Sequence, residues 1–336
     1  MTAPVGESPA RLGRSVRARV IWNPGSGSKG GIATNRVDRA GLEDALRRHG
    51  YTWEIAESGS AGEARAQALG AVRDGYDLVV AAGGDGTIGT IAGQLVGTAT
   101  ALGVLPLGSV MNIPRMLGVP RDLDEAARIL AEGYVRSIDV GQVGDRIFFE
   151  AGSVGMHAAA TRELPEVDRG DYGAIARSIA ALFRYRPTEM RLELDGDRTI
   201  ETKALLVAVA NGPFMGPGAT IAPEALLNDG LFDVRVFLDY TKGELVRYLA
   251  SIAFGHRTPE RRSQTVRARW IRITSGRPLP VRADAQDLGT TPVVFEVRPR
   301  VLTVVAPDPS LPSSGSARYG PHLPMPGRGV AATPSP

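Results

Sequence analysis

The sequence predicts a doubly wound α/β domain followed by an antiparallel, β-rich second domain, and three observations predict it. Up to about Asp139, apolar strand-length runs alternate with helix-length segments. Each of three glycine-bearing loops directly follows one of those strands. Beyond residue 140 strand-like runs dominate, and only two helical segments interrupt them.

Taken in order, Arg17–Trp22 reads as a strand, Ile32–Arg48 as a helix, Tyr51–Ala56 as a strand, and Ala61–Arg73 as a helix stopped by Gly75. Asp77–Ala82 is an apolar strand, Ile88–Val96 a helix, and Ala101–Pro106 a further strand. Asp122–Ala131 carries an acidic first turn and ends before Gly133, as a helix should. Continuous apolar strands between helices imply a parallel sheet covered on both faces. In the second half the strands are Arg146–Glu150, Arg191–Leu194, Ala204–Ala210, Leu231–Phe237, Val266–Ile273 and Val293–Val297. Asp195-Gly196 reads as a hairpin turn, and Tyr172–Arg184 and Lys242–Phe254 as helices. The expected division is a tail at 1–15, an α/β domain at 16–139, a β-rich domain at 140–307, and a Pro/Ser/Gly-rich disordered tail at 308–336.

Composition sets further bounds. With no cysteine there is neither a disulfide nor a thiolate nucleophile or metal ligand. No apolar run approaches the ~18 residues of a membrane span, and no signal-peptide core is visible. A cytoplasmic protein is the expectation. A net charge of +3 is too small to argue for nucleic acid. Between Gly255 and Pro278, however, Arg257, Arg261, Arg262, Arg267, Arg269, Arg272 and Arg277 face a single acid, Glu260. This stretch is either a solvated face or a patch for anionic lipid headgroups, and the second reading places the protein at the inner face of a membrane. The four histidines, His49, His157, His256 and His322, lack metal or triad spacing and read as structural.

The loops carry the chemistry. Asn23-Pro24-Gly25-Ser26-Gly27-Ser28-Lys29-Gly30-Gly31 follows the first strand, where glycines let backbone N–H groups approach a phosphate. Gly25, Gly27 and Gly30 also satisfy a dinucleotide-binding spacing, with Glu43 or Glu54 as the ribose-binding acid. No Gly-Lys-Ser/Thr closes the loop, so it is not a Walker A sequence. Gly83-Gly84-Asp85-Gly86-Thr87 ends a buried strand and sets one carboxylate among phosphate-facing amides. Asp85 is there expected to hold a magnesium-bound phosphate or water. Pro106 to Arg115 forms the third loop. Three such loops converge outside the carboxyl ends of the strands, where ligands bind in open α/β sheets.

Asn23 to Gly27, Gly83 to Thr87 and Pro106 to Ser109, in that order, resemble the signatures of diacylglycerol kinase-type catalytic domains, shared by bacterial lipid kinases and sphingosine and ceramide kinases. The resemblance extends through Phe149 to Gly155, Asn211-Gly212, Ile221 to Ala225 and Asn228 to Asp233, and covers about Arg17 to Pro307. It implies a nucleotide-binding α/β domain, a β-sandwich-like second domain, and transfer of the ATP γ-phosphoryl group to a diacylglycerol- or sphingoid-like lipid. It implies ATP phosphates on Gly83, Gly84, Asp85, Gly86 and Thr87, with Asn23, Ser26, Gly27, Ser58, Ser109 and Asn112 lining the nucleotide. It further implies a structural Mg2+ held by Asp229 and the main-chain oxygens of Leu226 and Leu231.

Two stretches depart from the family pattern. The third loop of such kinases usually reads Thr/Ser-x-Asn-Asp, whereas here Met111 and Asn112 stand in the last two places. Near the C-terminus the family carries Asp-Gly-Glu, with the Glu as the base; here it is Asp284-Ala285-Gln286. Gln286, Asp284 and Asp287 are thus the candidates for the proton-accepting position. Two other readings remain: a catalytically impaired binder of nucleotide or lipid that acts as a regulator, and an NAD kinase, which also carries Gly-Gly-Asp-Gly-Thr.

Overall fold

The structure is a computed structural model and describes residues 10–11, 16–29, 32–33, 37–50, 53–162, 171, 173–216, 218–238, 240–253 and 263–307. Four parallel strands, β1 (Ala18–Trp22), β2 (Glu54–Glu57), β3 (Leu78–Gly83) and β4 (Ala101–Pro106), lie in the order β2-β1-β3-β4. Chain order reverses between β1 and β3, so the loops after those two strands open at the switch point of the sheet. Strands β3 and β4 are buried at every position, which explains their unbroken apolar sequence.

Local chemistry sets the helix ends. The Asp38 carboxylate accepts the Gly41 N–H and starts α1 at Arg39, so the helix covers Arg39–Arg48 rather than beginning at Ile32. Ser60 caps α2 (Ala61–Arg73), and Asp122 caps a later helix, Leu123–Glu132, in the same way. The helix expected from Ile88 starts at Asp85 and runs to Leu95 (α3). Most of the second glycine loop is therefore a helix N-terminus, a feature hidden by the low helix propensity of Gly86 and Gly89.

The second half is antiparallel, with Phe148 stacked on Phe232 and meeting Phe295 edge to face in its core. The Asp195-Gly196 turn is present, both residues having positive φ. The expected strand Val266–Ile273 is two strands, Ser263–Ala268 and Trp270–Ser275, joined at Arg269. Strands Tyr134–Val143, Ala151–Gly155, Pro280–Ala283 and Gln286–Thr290 add to those expected.

One element joins the halves. The strand expected at Val293–Val297 runs on to Ala306. Its first part pairs with Trp270–Ser275, and its last part pairs with Tyr134–Ile138 and meets β4 at Val304 and Leu102. Phe295 belongs to the second core, while Leu302, Val304 and Val305 belong to the first. A division at 139/140 therefore cuts through the strand Tyr134–Val143 and leaves residues 302–306 on the far side of their own core.

Candidate active site

The three glycine loops meet as predicted. Asn23 Nδ2 donates to Thr87 Oγ1 at 3.0 Å, and the Gly84 N–H donates to Ser26 Oγ at 3.3 Å. Gly108 lies so close to Gly84 that an added Cβ would sit 2.5 Å from the Gly84 Cα. The third loop turns at Met111, whose φ is 65°, and the Gly108 N–H donates to its sulfur at 3.1 Å. Ser109 uses its carbonyl to accept from Arg121 at 2.7 Å. Ser58 is buried, and its hydroxyl donates to the Ser60 carbonyl at 3.0 Å. It closes the turn before α2 rather than facing a ligand.

Beside these loops, between the two halves, lies a cavity of about 390 Å³, within the usual range for ligand pockets. Along α3 its wall is Gly86, Gly89, Thr90, Gly93 and Gln94, a face kept low by glycines. Arg65 and Arg146 also line it, and Asp85, Glu150 and Asp284 converge on it. Asp85 and Gly86 are where glycine loop and cavity meet; Asn23, Ser26, Gly83, Gly84 and Ser109 are not in the wall.

Asp85, in the cavity wall, is also engaged in the fold. Its carboxylate accepts the N–H groups of Asn112 at 3.0 Å and Ile113 at 2.9 Å, clamping the start of the helix Asn112–Leu117. Burial raises its pKa, and those amide bonds oppose the shift. Asp284, at φ 48°, accepts from the backbone of Phe149 (2.8 Å), Glu150 (3.0 Å) and Ala151 (3.3 Å). Burial nevertheless pushes its pKa up to about 6, with the Asp85 charge acting in the same direction. Gln286 does line the cavity, but its amide donates to the Ile147 carbonyl at 2.8 Å. Asp287 is outside the wall and forms an ion pair with Arg162 at 3.0 Å. It is not turned toward the cleft.

Glu150 was not among the predicted site residues. It is 7% exposed, lines the cavity, and accepts from Asn112 Nδ2 at 2.6 Å. The same amide nitrogen donates to the Gly216 carbonyl at 2.7 Å, so both of its hydrogens are used and the amide is fixed. Burial, followed by the charges of Asp284 and Asp85, raises the Glu150 pKa well above the usual carboxylate range.

At the magnesium site expected from Leu226, Asp229 and Leu231, one Asp229 oxygen is buried without a hydrogen-bond partner, as the ligand of a cation would be. Arg267 puts a positive charge 3.0 Å from that oxygen, while the other accepts the Leu231 N–H at 3.1 Å. Neighbouring Asp139 accepts the N–H groups of Gly230 and Arg300. Arg269 and Arg300 line the same small cavity, which has no carbonyl of Leu226 or Leu231 in its wall. Within the arginine-rich stretch, Arg267 is thus spent on Asp229 and Asp233, and Arg277 on the Arg186 carbonyl. Arg257, Arg261 and Arg262 lie outside the described residues, as do His256, His322, and residues 1–9, 12–15 and 308–336 of the two tails.

Known families divide the chain at the same cleft. Residues 17–143 match the model of the diacylglycerol kinase catalytic domain. Residues 17–143 thus carry the catalytic domain of that family. Residues 151–306 match the YegS C-terminal NAD kinase beta sandwich-like domain, so the kinase-type half and the sandwich-like half face each other across the cavity. A diacylglycerol kinase of Bacillus subtilis strain 168 is 28% identical over 300 residues, covering 87% of this chain and 96% of that protein. One of Staphylococcus aureus strain JH9 is 27% identical, covering 87% and 93%. The crystal structure of a diacylglycerol kinase from Bacillus anthracis strain Sterne superposes with a TM-score of 0.68 at 21% identity. It covers 89% of this chain and 99% of that one, and shows a shared fold.

Proposed function

We propose that the protein transfers the γ-phosphoryl group of ATP to a hydroxyl of a diacylglycerol- or sphingoid-like lipid. The observation that carries this reading is the cavity itself. It lies where the two family-matching halves meet, with glycine loops at one margin and Asp85, Glu150 and Asp284 in its wall. Relatives named diacylglycerol kinase align over most of the chain, which supports the lipid as acceptor.

The divalent cation of this reaction is Mg2+ that arrives with ATP as part of the substrate. Such transfer rests mainly on positioning and on neutralising charge. The amides of the loops at Asn23 to Gly27 and Gly83 to Thr87 are suited to phosphate oxygens, and Asp85 keeps the third loop in register with them.

A lipid acceptor requires access to a membrane, and among the described residues no helix is long and apolar enough to cross one. The helix Gly173–Arg184 instead presents Ile175, Ile179 and Phe183 to solvent at four-residue spacing, Phe183 being 74% exposed. Arg184 adjoins this ridge and Lys242 donates to the Phe183 carbonyl, placing two cations beside it. An apolar ridge rimmed by cations supports peripheral docking at the anionic, cytoplasmic face of a membrane.

The test is incubation with radiolabelled ATP and vesicles of mixed lipid, followed by extraction. A phosphorylated lipid appearing with ADP is expected. ATP binding without any phosphorylated lipid would leave the regulatory reading, which the amides of Gln286 and Asn112 favour.

A further inference from the structure

Three side chains were candidates to accept the proton of the attacking hydroxyl, and each of them, like Asp85, is committed elsewhere. Asp85 is held by two amides and Asp284 by three; Gln286 is bonded to a carbonyl and Asp287 paired to Arg162 outside the wall. Glu150 differs from all of them. Asn112 occupies one of its oxygens, and the other has no hydrogen bond to any described residue. It lies in the cavity wall, and it is not a buried atom left without a partner, so it opens on the cavity.

We infer that Glu150 is the general base of the reaction, with Asn112 holding it in position. The inference rests on the phosphotransfer reading above. The family pattern carries a carboxylate at position 112; this chain carries an amide there and a carboxylate across one 2.6 Å hydrogen bond. Had both been carboxylates, two like charges would meet at that distance inside a buried site, so the amide and the acid form a matched pair. In the step itself, the acceptor oxygen forms a bond to the γ-phosphorus while the bond to the bridging oxygen breaks. The electron pair of that bond leaves with ADP, and the hydroxyl proton passes to the open oxygen of Glu150. On product release the proton goes to water. Asp284 and Asp85 face Glu150 with like charge, and Arg115 with opposite charge. Burial, ahead of the Asp284 and Asp85 charges, makes Glu150 a stronger proton acceptor than a solvated carboxylate.

The test uses the full chain. Glu150→Gln retains a group able to accept from Asn112, so fold and nucleotide site should persist. Its kcat for lipid phosphorylation should fall by ~10²–10⁴-fold. The Kd for a non-hydrolysable ATP analogue should stay within about threefold, because a base acts on the chemical step and not on nucleotide binding. The double variant Asn112→Asp with Glu150→Gln moves the carboxylate to the other end of the same hydrogen bond. It should recover at least about tenfold over Glu150→Gln alone, provided a base contributes as much as is usual. Turnover by Glu150→Gln within threefold of wild type would overturn the inference and leave the kinase reading intact. A parallel loss of analogue binding would also overturn it, since a base has no part in holding ATP. A folded double variant no better than Glu150→Gln would reduce Glu150 to a support for Asn112. Absence of phosphorylated lipid with the wild type would overturn the kinase reading, and this inference with it.

Discussion

The two sides of the cleft are built from different materials. The loop side consists of backbone: glycines at 84 and 108 in near contact, and amides at the start of α3 and of the helix Asn112–Leu117. The opposite side consists of side chains, with Glu150 arriving just before the strand Ala151–Gly155 and Asp284 and Gln286 from one hairpin turn. Backbone can approach a phosphate closely but can neither take up nor release a proton. Carboxylates can, and their burial tunes when they do. One side suits the donor of a phosphoryl group, the other the activation of its acceptor.

This contrast is most exposed at Gly108. An alanine there would place its Cβ 2.5 Å from the Gly84 Cα and 2.9 Å from the Met111 sulfur, so two loops must separate. Gly108→Val is expected to weaken ATP-analogue binding by on the order of 10²-fold or more, the scale of a 1 Å misplacement in a positioned site. Near-normal affinity by calorimetry would break the claim that this side works through backbone contact.

On the side-chain wall the expected cost is in stability. Asn112→Leu leaves Glu150 without its buried donor, and leaving a buried polar group unpaired costs about 1–3 kcal/mol. Urea unfolding at pH 7 should register a loss of that size. A neutral result would mean that water replaces the amide at no cost.

The second half also carries opposed pH dependences. His157, behind the strand Ala151–Gly155, has its pKa lowered to about 4 by burial, and its Nδ1 lies 3.0 Å from Ser153 Oγ. The unfolded chain therefore binds this proton first, and stability falls as pH drops from 6.5 toward 4, by up to roughly 3 kcal/mol. Asp284 has the opposite sign. Its folded pKa near 6 lies above the unfolded value, so its contribution is greatest below about pH 4 and declines as pH rises to 6. His157→Gln should remove the acid-side loss in denaturation curves measured between pH 4 and 7. An unchanged acid limb would assign that loss to other groups.

The smallest effect is expected outside the cleft. The helix Gly173–Arg184 packs on the helix Met156–Thr161, which itself packs against the strand leading to Asp284. Phe183→Ser should change stability by no more than ~0.5 kcal/mol, as an exposed position does. It should nevertheless reduce co-sedimentation with anionic vesicles severalfold. Residual binding should weaken with salt as the Debye length shortens. Vesicle binding equal to wild type would detach the ridge from the proposed docking.

What the sequence made legible follows the same division. Gly83 to Thr87 is contiguous, so strand, loop and helix start could be read together, and the convergence of three such loops followed from strand order alone. Glu150 gave no local signal. It is one acid between Phe149 and Ala151, and its partners Asn112 and Asp284 are 38 and 134 residues away. The pairing of Ala151–Gly155 with Pro280–Ala283 brings Asp284 to Glu150, and the third glycine loop brings Asn112. Arg267 beside Asp229 gave no local signal either, because it stands 38 positions further on and reaches the carboxylate through an adjacent strand. The long strand was read short because Arg298, Pro299 and Arg300 break its alternation, with a register shift at that point and a φ of 51° at Arg300.

That strand, Val293–Ala306, has a consequence for biosynthesis. A nascent chain that has emerged only through Val143 contains every glycine loop but still lacks Leu302, Val304 and Val305 from its core. The open edge of Ala101–Pro106 and the unpaired flank of Tyr134–Val143 are then templates for any passing strand. The α/β half cannot be completed until the ribosome has made the other half. A translation pause or a premature stop between the two would therefore release an incomplete, aggregation-prone sheet instead of a small working domain.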